Sequence, residues 1–267
     1  MVRRLIPEGM IVFFKRNGWI IVAGIETRAP AAALDNYLSA LQEASYSIEG
    51  KRVLLFGYGG RFAVACALLE AGAKHVVLSE YNLKPDQQFN CSIVEEYSRY
   101  LSMKNGKVLP NPYFITLAHG DIRTLVKENR LERVHLILSN SVFEHLDDVS
   151  DILGALSEIT LPEGLHLHFI DLRDHYFKYP FEMLCYSERV WQNFLNPNSN
   201  LNRFRLWHYE QIFKKYFKKV NLSILDSNIK EFNSAKNRMK PEYIYGDQKI
   251  DSALRIKVLA CEPIKSD

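Results

Sequence analysis

Apolar and polar positions along the chain follow several distinct rhythms. Residues 10–24 carry two β-branched and aromatic runs, MIVFFK and WIIVAG, separated by Asn17-Gly18. That dipeptide suits a tight I′ turn, so the segment is expected to form a β-hairpin. Residues 30–47 take a helical period, with Ala33, Tyr37, Leu41 and Ala44 along one side. Gly50 breaks the chain, and from Lys51 onward short apolar runs alternate with helical ones. RVLLF, HVVLSE, YFITLAHGD, VHLILSN and LHLHFIDLR read as strands, several of them continuously apolar and so buried on both faces. Between them RFAVACALLEAGA, residues 87–103, residues 122–130 and SVFEHLDDVSDILGALSEIT read as helices, the last ended by Pro162 and Gly164.

Strands that alternate with helices in this way are joined by crossovers and run parallel. The expected fold class is α/β: a Rossmann-like, doubly wound, mainly parallel sheet with an N-terminal β-hairpin. Residues 172–206 interrupt the rhythm with aromatics, Asn, Arg, Pro180 and Pro197, and are expected to form an inserted cap after strand five. A helix at 207–218, the strand KVNLSIL, a polar connector and the closing strand ALRIKVLACEP follow. The organisation expected is a hairpin and helix at 1–49 packed on a core domain at 50–267, with the cap at about 172–206.

Composition narrows the picture. A chain of 267 residues with 47% hydrophobic and 24% charged residues is an ordinary globular sequence, long enough to bury a sheet under helices on both faces. The net charge is +3 and acidic residues are interleaved with basic ones. The densest basic group, Lys214, Lys215, Lys218 and Lys219, reads as the solvated face of a helix, so no nucleic-acid partner is expected. Cys66, Cys91, Cys185 and Cys261 show no metal or redox spacing and fit a reducing cytoplasm. Lys15, Arg16, Asn17 and Gly18 interrupt the apolar start well short of the ~20 residues a bilayer span requires, so no membrane partner is expected. The hairpin reads either as a homodimer element or as a cover for the sheet.

A doubly wound sheet takes its ligand beyond the carboxyl ends of its strands, where the strand order reverses. Here that place is Phe56-Gly57-Tyr58-Gly59-Gly60-Arg61, whose glycines let backbone approach a ligand. Glu80 ends strand two, 23 residues after Gly57, where a carboxylate accepts both hydroxyls of a nucleoside ribose. Asp121 closes strand three and suits an adenine amino group, a helix N-cap, or both. Asn140 and Ser141 close strand four, with helix capping as the plainer reading. A nicotinamide fingerprint fails, because the sixth position from Gly57 is Phe62 rather than glycine.

The segments VLLFGYGG, LSEYN, HGDIR and LILSNSVFEHLDDV resemble, in order, the motifs of class I S-adenosylmethionine-dependent methyltransferases. SNSVFEHLDD resembles their "type 11" branch in particular, and IDLRDHYF, PFEMLCYS and NPNSNLNRFR are more faintly similar to a bacterial subgroup of that family. The likeness spans about residues 50–172 and the strand at 253–263. It implies S-adenosylmethionine as cofactor. Gly57, Tyr58 and Gly59 would lie at its methionine end, Glu80 and Tyr81 at its ribose, Asp121 and Ile122 at its adenine, and Asn140 beneath the sulfonium. Two positions depart from the family pattern: Leu55 where an acid is usual, and Arg61 where a third glycine is common. They motivate the alternative of a catalytically silent, methyltransferase-like binding module.

Methyl transfer needs alignment above all, and a general base when the acceptor is a hydroxyl. His145, Asp171, Asp174 and His175 are the catalytic candidates; the plainer readings are a helix residue with no proton role for His145 and a salt-bridged loop for the Asp171-Arg173-Asp174 cluster. Asn202, Arg203 and Arg205 are candidates for clamping a polar small molecule or carbohydrate, or for holding the cap to its domain. His166 and His168 alternate along strand five and read as packed or hydrogen-bonded core residues.

Overall fold

The computed structural model describes residues 30–81, 83–175, 179–196 and 200–264; the hairpin expected at 10–24 lies outside them. The described strands are β1 (Arg52–Phe56), β2 (His75–Glu80), β3 (Leu101–Lys104), β4 (Lys107–Pro110), β5 (Ile115–His119), β6 (Val134–Asn140), β7 (Thr160–Asp171), β8 (Phe217–Ser227) and β9 (Ala253–Pro263). The helices that matter below are α1 (Pro30–Glu43), α2 (Ala63–Glu70), α3 (Gln87–Ser92), α4 (Ile122–Lys127), α5 (Val149–Glu158), α6 (Leu206–Tyr216), α7 (Ile229–Ala235) and α8 (Gln248–Asp251).

Seven strands form one sheet in the order β5-β2-β1-β6-β7-β9-β8. β1 runs parallel to β2 and β6, β5 parallel to β2, and β7 parallel to β6. Only β9 opposes its neighbours, pairing antiparallel with β7 and β8. The doubly wound, mainly parallel sheet read from the sequence is therefore present. Its order reverses between β1 and β6, which opens a crevice beyond their carboxyl ends.

The apolar runs explain how the sheet is covered. In β1 alternate residues face opposite layers: Val53 and Leu55 pack with α1 and α2, Leu54 and Phe56 with α4, α5 and α6. α1 buries Ala33, Tyr37, Ala40 and Leu41, the stripe a helical period requires. α6 buries Leu206, Tyr209 and Phe213. Among the described residues no helix is long and apolar enough to cross a membrane.

Two local expectations are corrected. The helix expected over 87–103 stops at Ser92, and residues 101–110 form a separate ribbon of β3 and β4. Its turn is Asn105-Gly106, with φ of 51° and 72°, the positive values a I′ turn demands. At the end of α5, Pro162 and Gly164 do not begin a loop; β7 starts at Thr160, and its register against β6 shifts between Val134 and Leu136. A Cβ on Gly164 would lie 2.6 Å from Thr160 Cγ2 and 2.8 Å from the Leu161 carbonyl, so this crowded irregularity requires glycine.

His166 and His168 are completely buried and form one hydrogen-bonded chain. The Thr160 hydroxyl donates to the Leu156 carbonyl at 2.8 Å, so toward His166 Nε2 (2.8 Å) it acts as acceptor. His166 then carries its proton on Nε2, and its Nδ1 accepts from His168 Nε2 at 3.1 Å. His168 Nδ1 in turn accepts from the Ser139 hydroxyl at 2.7 Å. One carbonyl thus fixes the tautomer of both rings. Burial pulls the His166 imidazole down to about 3 and His168 well below the ordinary histidine range, so both are neutral.

The cap has its own core. Phe181, Met183, Leu184, Trp191 and Leu201 pack with Phe232, Ala235, Met239 and Tyr243 from the connector between β8 and β9. The cap therefore draws on two segments distant in sequence, not on 172–206 alone.

Candidate active site

The glycine turn follows β1 at the reversal point. Gly57, Gly59 and Gly60 have φ of 77°, 65° and 80°, a region that side chains disfavour. Gly57 is further constrained, because a Cβ there would lie 2.4 Å from Val142 Cγ2 in the loop after β6. The Gly57 amide donates to the Ser79 carbonyl at 2.9 Å. The Gly59 amide donates to Glu80 Oε2 at 3.2 Å, and the Tyr81 amide to Glu80 Oε1 at 2.9 Å. Each oxygen of this carboxylate keeps a further acceptor position.

Tyr58 has its ring buried, stacked on Phe62 and hydrogen-bonded to His119 Nε2 at 3.0 Å. Its side chain therefore bridges the loop after β1 to the end of β5. Burial, reinforced by the charge of Glu80, pushes its phenol far above the ordinary tyrosine range. The Tyr81 side chain is 65% exposed. Arg61 turns out of the crevice, pairing with Asp86 at 3.1 Å and lying over the Phe89 ring. Leu55 is a buried core residue.

Asp121 caps α4, accepting the Arg123 amide at 2.9 Å. The Arg123 guanidinium binds the same carboxylate, and these hydrogen bonds hold its carboxyl below the usual carboxylate range. Ile122 is buried under α4. Asn140, half-buried at the end of β6, accepts from the Ser141 hydroxyl, and Ser141 has a φ of 52°.

Beyond the ends of β6 and β7 lies a second group. His145 Nδ1 donates to the Asn200 carbonyl at 2.8 Å, and its ring stands 5.1 Å from that of His175. This carbonyl can only accept, so the proton is on Nδ1. Asp171 binds Arg173 through two oxygens, with contacts of 2.8 and 2.5 Å, and meets His175 Nε2 at 3.6 Å. Burial opposes the charge on Asp171, but the bonds from His175 and Arg173 outweigh it and hold the carboxyl well below its usual range. Asp174 is buried and anchored through its amide to the Pro180 carbonyl. Glu144, which the sequence reading passed over, is 3% exposed and accepts the Asp171 amide through Oε1. Its adjacency to His145 was the only signal available. Among the described residues no three His, Cys, Asp or Glu side chains converge as metal ligands.

The three cap residues considered for a substrate clamp are committed to the protein instead. Asn202 donates to the Phe143 and Leu146 carbonyls and accepts from the Phe204 amide and the Tyr209 hydroxyl. Arg203 is 2% exposed; it donates to the Met183 and Tyr186 carbonyls and pairs with Glu188. Arg205 is fully buried and donates to the Leu172, Asp251 and Ala253 carbonyls. Burial pulls its guanidinium down to about 10. Arg205 and Asn202 hold the cap to the strand ends, and Arg203 holds the cap together from within.

No protein-family model matches the sequence, and no curated protein is significantly similar to it. Solved structures with a similar backbone course include a provisionally named S-adenosylmethionine-dependent methyltransferase from Listeria monocytogenes. It is 14% identical, with a TM-score of 0.49, over 88% of this chain and 100% of that one. A provisionally named methyltransferase from Bacillus halodurans is 12% identical, with a TM-score of 0.49, over 85% and 99%. An S-adenosylmethionine-dependent methyltransferase from Mesorhizobium loti is 13% identical, with a TM-score of 0.43, over 85% and 99%. At these values the strand order described above, and not the likeness, defines the fold.

Proposed function

We propose that this chain is a methyltransferase that uses S-adenosylmethionine, with the cofactor in the crevice between β1 and β6. The observation that carries the reading is Glu80, at the carboxyl end of β2, tied to the bare glycine turn through the Gly59 amide. A nucleoside diol asks for one carboxylate with two open acceptor positions, and Glu80 offers them beside a glycine turn that is partly exposed at Gly57 and Gly59. The residues present therefore fit this cofactor. The bound cofactor supplies an electrophilic methyl group.

On this reading Glu80 binds the ribose, and Gly57 and Gly59 lie at the methionine end. Asn140 stands at the end of β6, beneath the reacting centre. Asp121 serves the adenine only through what its capping and Arg123 contacts leave open. On the acceptor side, Asp171 orients His175, and either imidazole, His145 or His175, takes the proton of an acceptor hydroxyl. The cap excludes water above them. The acceptor proposed is a polar small molecule or a carbohydrate.

The test is incubation with S-adenosylmethionine labelled in its methyl group and a panel of hydroxylated small molecules and carbohydrates. Label transferred to an acceptor, and lost in Glu80→Ala, supports the reading. Cofactor binding without transfer to any acceptor favours the silent binding module. Absence of cofactor binding by the folded protein contradicts the enzyme reading and favours a silent module that serves as a partner in an assembly.

A further inference from the structure

The glycine turn carries Arg61 where a third motif glycine is common, yet its end is held firmly from another part of the chain. Gly60 has its carbonyl bound twice: by the Asp86 amide at 2.8 Å and by Asn90 Nδ2 at 2.9 Å. Asn90 Oδ1 accepts the Phe62 amide at 2.9 Å. Asn90 is completely buried, so neither contact is replaced by water. Asp86 also caps α3 through the Phe89 amide and pairs with Arg61, which lies 4.2 Å over the Phe89 ring. A Cβ on Gly60 would come within 2.7 Å of the Lys84 carbonyl, so the two segments touch backbone to backbone.

We propose that residues 84–90 are a clasp that sets the shape of the 57–62 turn before ligand arrives, with Asn90 as the positioning residue. This rests on the reading that the turn binds S-adenosylmethionine. The physical ground is the cost of ordering. A turn rich in glycine has more conformations to lose than any other, and affinity rises when that loss is met during folding. One buried amide that accepts from Phe62 and donates to Gly60 fixes both ends of the last three residues of the turn. Arg61 is then part of the clasp, and its side chain compensates for the glycine it replaces.

The experiment compares wild type with Asn90→Leu, which keeps the volume and removes both bonds, and with Asp86→Ala and Arg61→Ala at the rim. Tyr46→Phe is the control: it removes a hydrogen bond to the His135 carbonyl outside the crevice. Amide hydrogen exchange is read on the ligand-free proteins, and S-adenosylhomocysteine binding by calorimetry. Asn90→Leu is expected to expose the Phe62 amide to exchange and weaken binding at least tenfold. Each rim variant should weaken it several-fold, and Tyr46→Phe should leave affinity unchanged whatever it does to stability. Unchanged affinity in a folded Asn90→Leu protein would overturn the proposal, as would equal loss in Tyr46→Phe. If Asn90→Leu does not fold, the rim variants decide by the same criteria. If wild type does not bind, the cofactor reading fails, and exchange at Phe62 still decides whether the clasp exists.

Discussion

The two sides of the strand-end face are held by different means. Beyond β1, β2 and β5 the glycine turn is held at its own main-chain groups, by the Ser79 carbonyl and Asp86 amide and by the side chains of Glu80 and the buried Asn90. Beyond β7 and under the cap it is positioned by charged and amide side chains taken out of water, with Arg203, Arg205 and Asn202 satisfying the carbonyls of distant loops. A glycine turn held at its own amides and carbonyls contributes few side chains to the crevice. A cap held by buried guanidinium groups cannot spare those groups for a substrate. The difference explains why similar polar residues on one face serve opposite purposes.

The largest effect separating the two sides is expected at Arg205. Arg205→Met removes the donor from three buried carbonyls, and the protein should lose on the order of 3–5 kcal/mol in urea unfolding. A loss under about 1 kcal/mol would mean the cap is held by its apolar core alone. Acid should come next, acting on the core that both sides share. His166 and His168 bind protons in the unfolded state from about pH 6.5 downward, whereas in the fold burial keeps them neutral, His166 down to about 3. Stability should therefore be flat above pH 6.5 and fall below it, approaching about 1.4 kcal/mol per pH unit for each histidine. His75 and His208 are shifted the same way, chiefly by burial. Urea midpoints measured from pH 7.5 to 4.5 give the slope, and replacing both His166 and His168 by leucine should flatten much of it. The smallest effect belongs to the backbone-held side. Asp121→Asn keeps the cap of α4 and should change stability by less than about 0.5 kcal/mol, whereas Asp121→Ala should cost about 1 kcal/mol.

Much of the fold was legible because buried parallel strands announce themselves as short apolar runs, and β1, β2, β6 and β9 stand where RVLLF, HVVLSE, VHLILSN and ALRIKVLACEP suggested. The ribbon of β3 and β4 was missed although Asn105-Gly106 carries the same turn signal as Asn17-Gly18; its strands are only four residues long, and the helical start at 87 was extended into the first of them. The places of Gly57, Gly59 and Glu80 at the ends of β1 and β2 could be read because they depend on chain position. The roles of Arg203, Arg205 and Asn202 could not be fixed, because residue type does not reveal burial. Asn90 and Glu144 escaped notice for a related reason: each acts on backbone 27 or more residues away, which no periodic pattern marks.

The most direct test is a calorimetric titration of the wild-type protein and Glu80→Ala with S-adenosylhomocysteine. Micromolar binding by the wild type, weakened at least a hundredfold in a folded Glu80→Ala protein, is the expected result. Binding that is absent in the wild type, or indifferent to Glu80, would contradict the assignment of the crevice between β1 and β6 as a cofactor site.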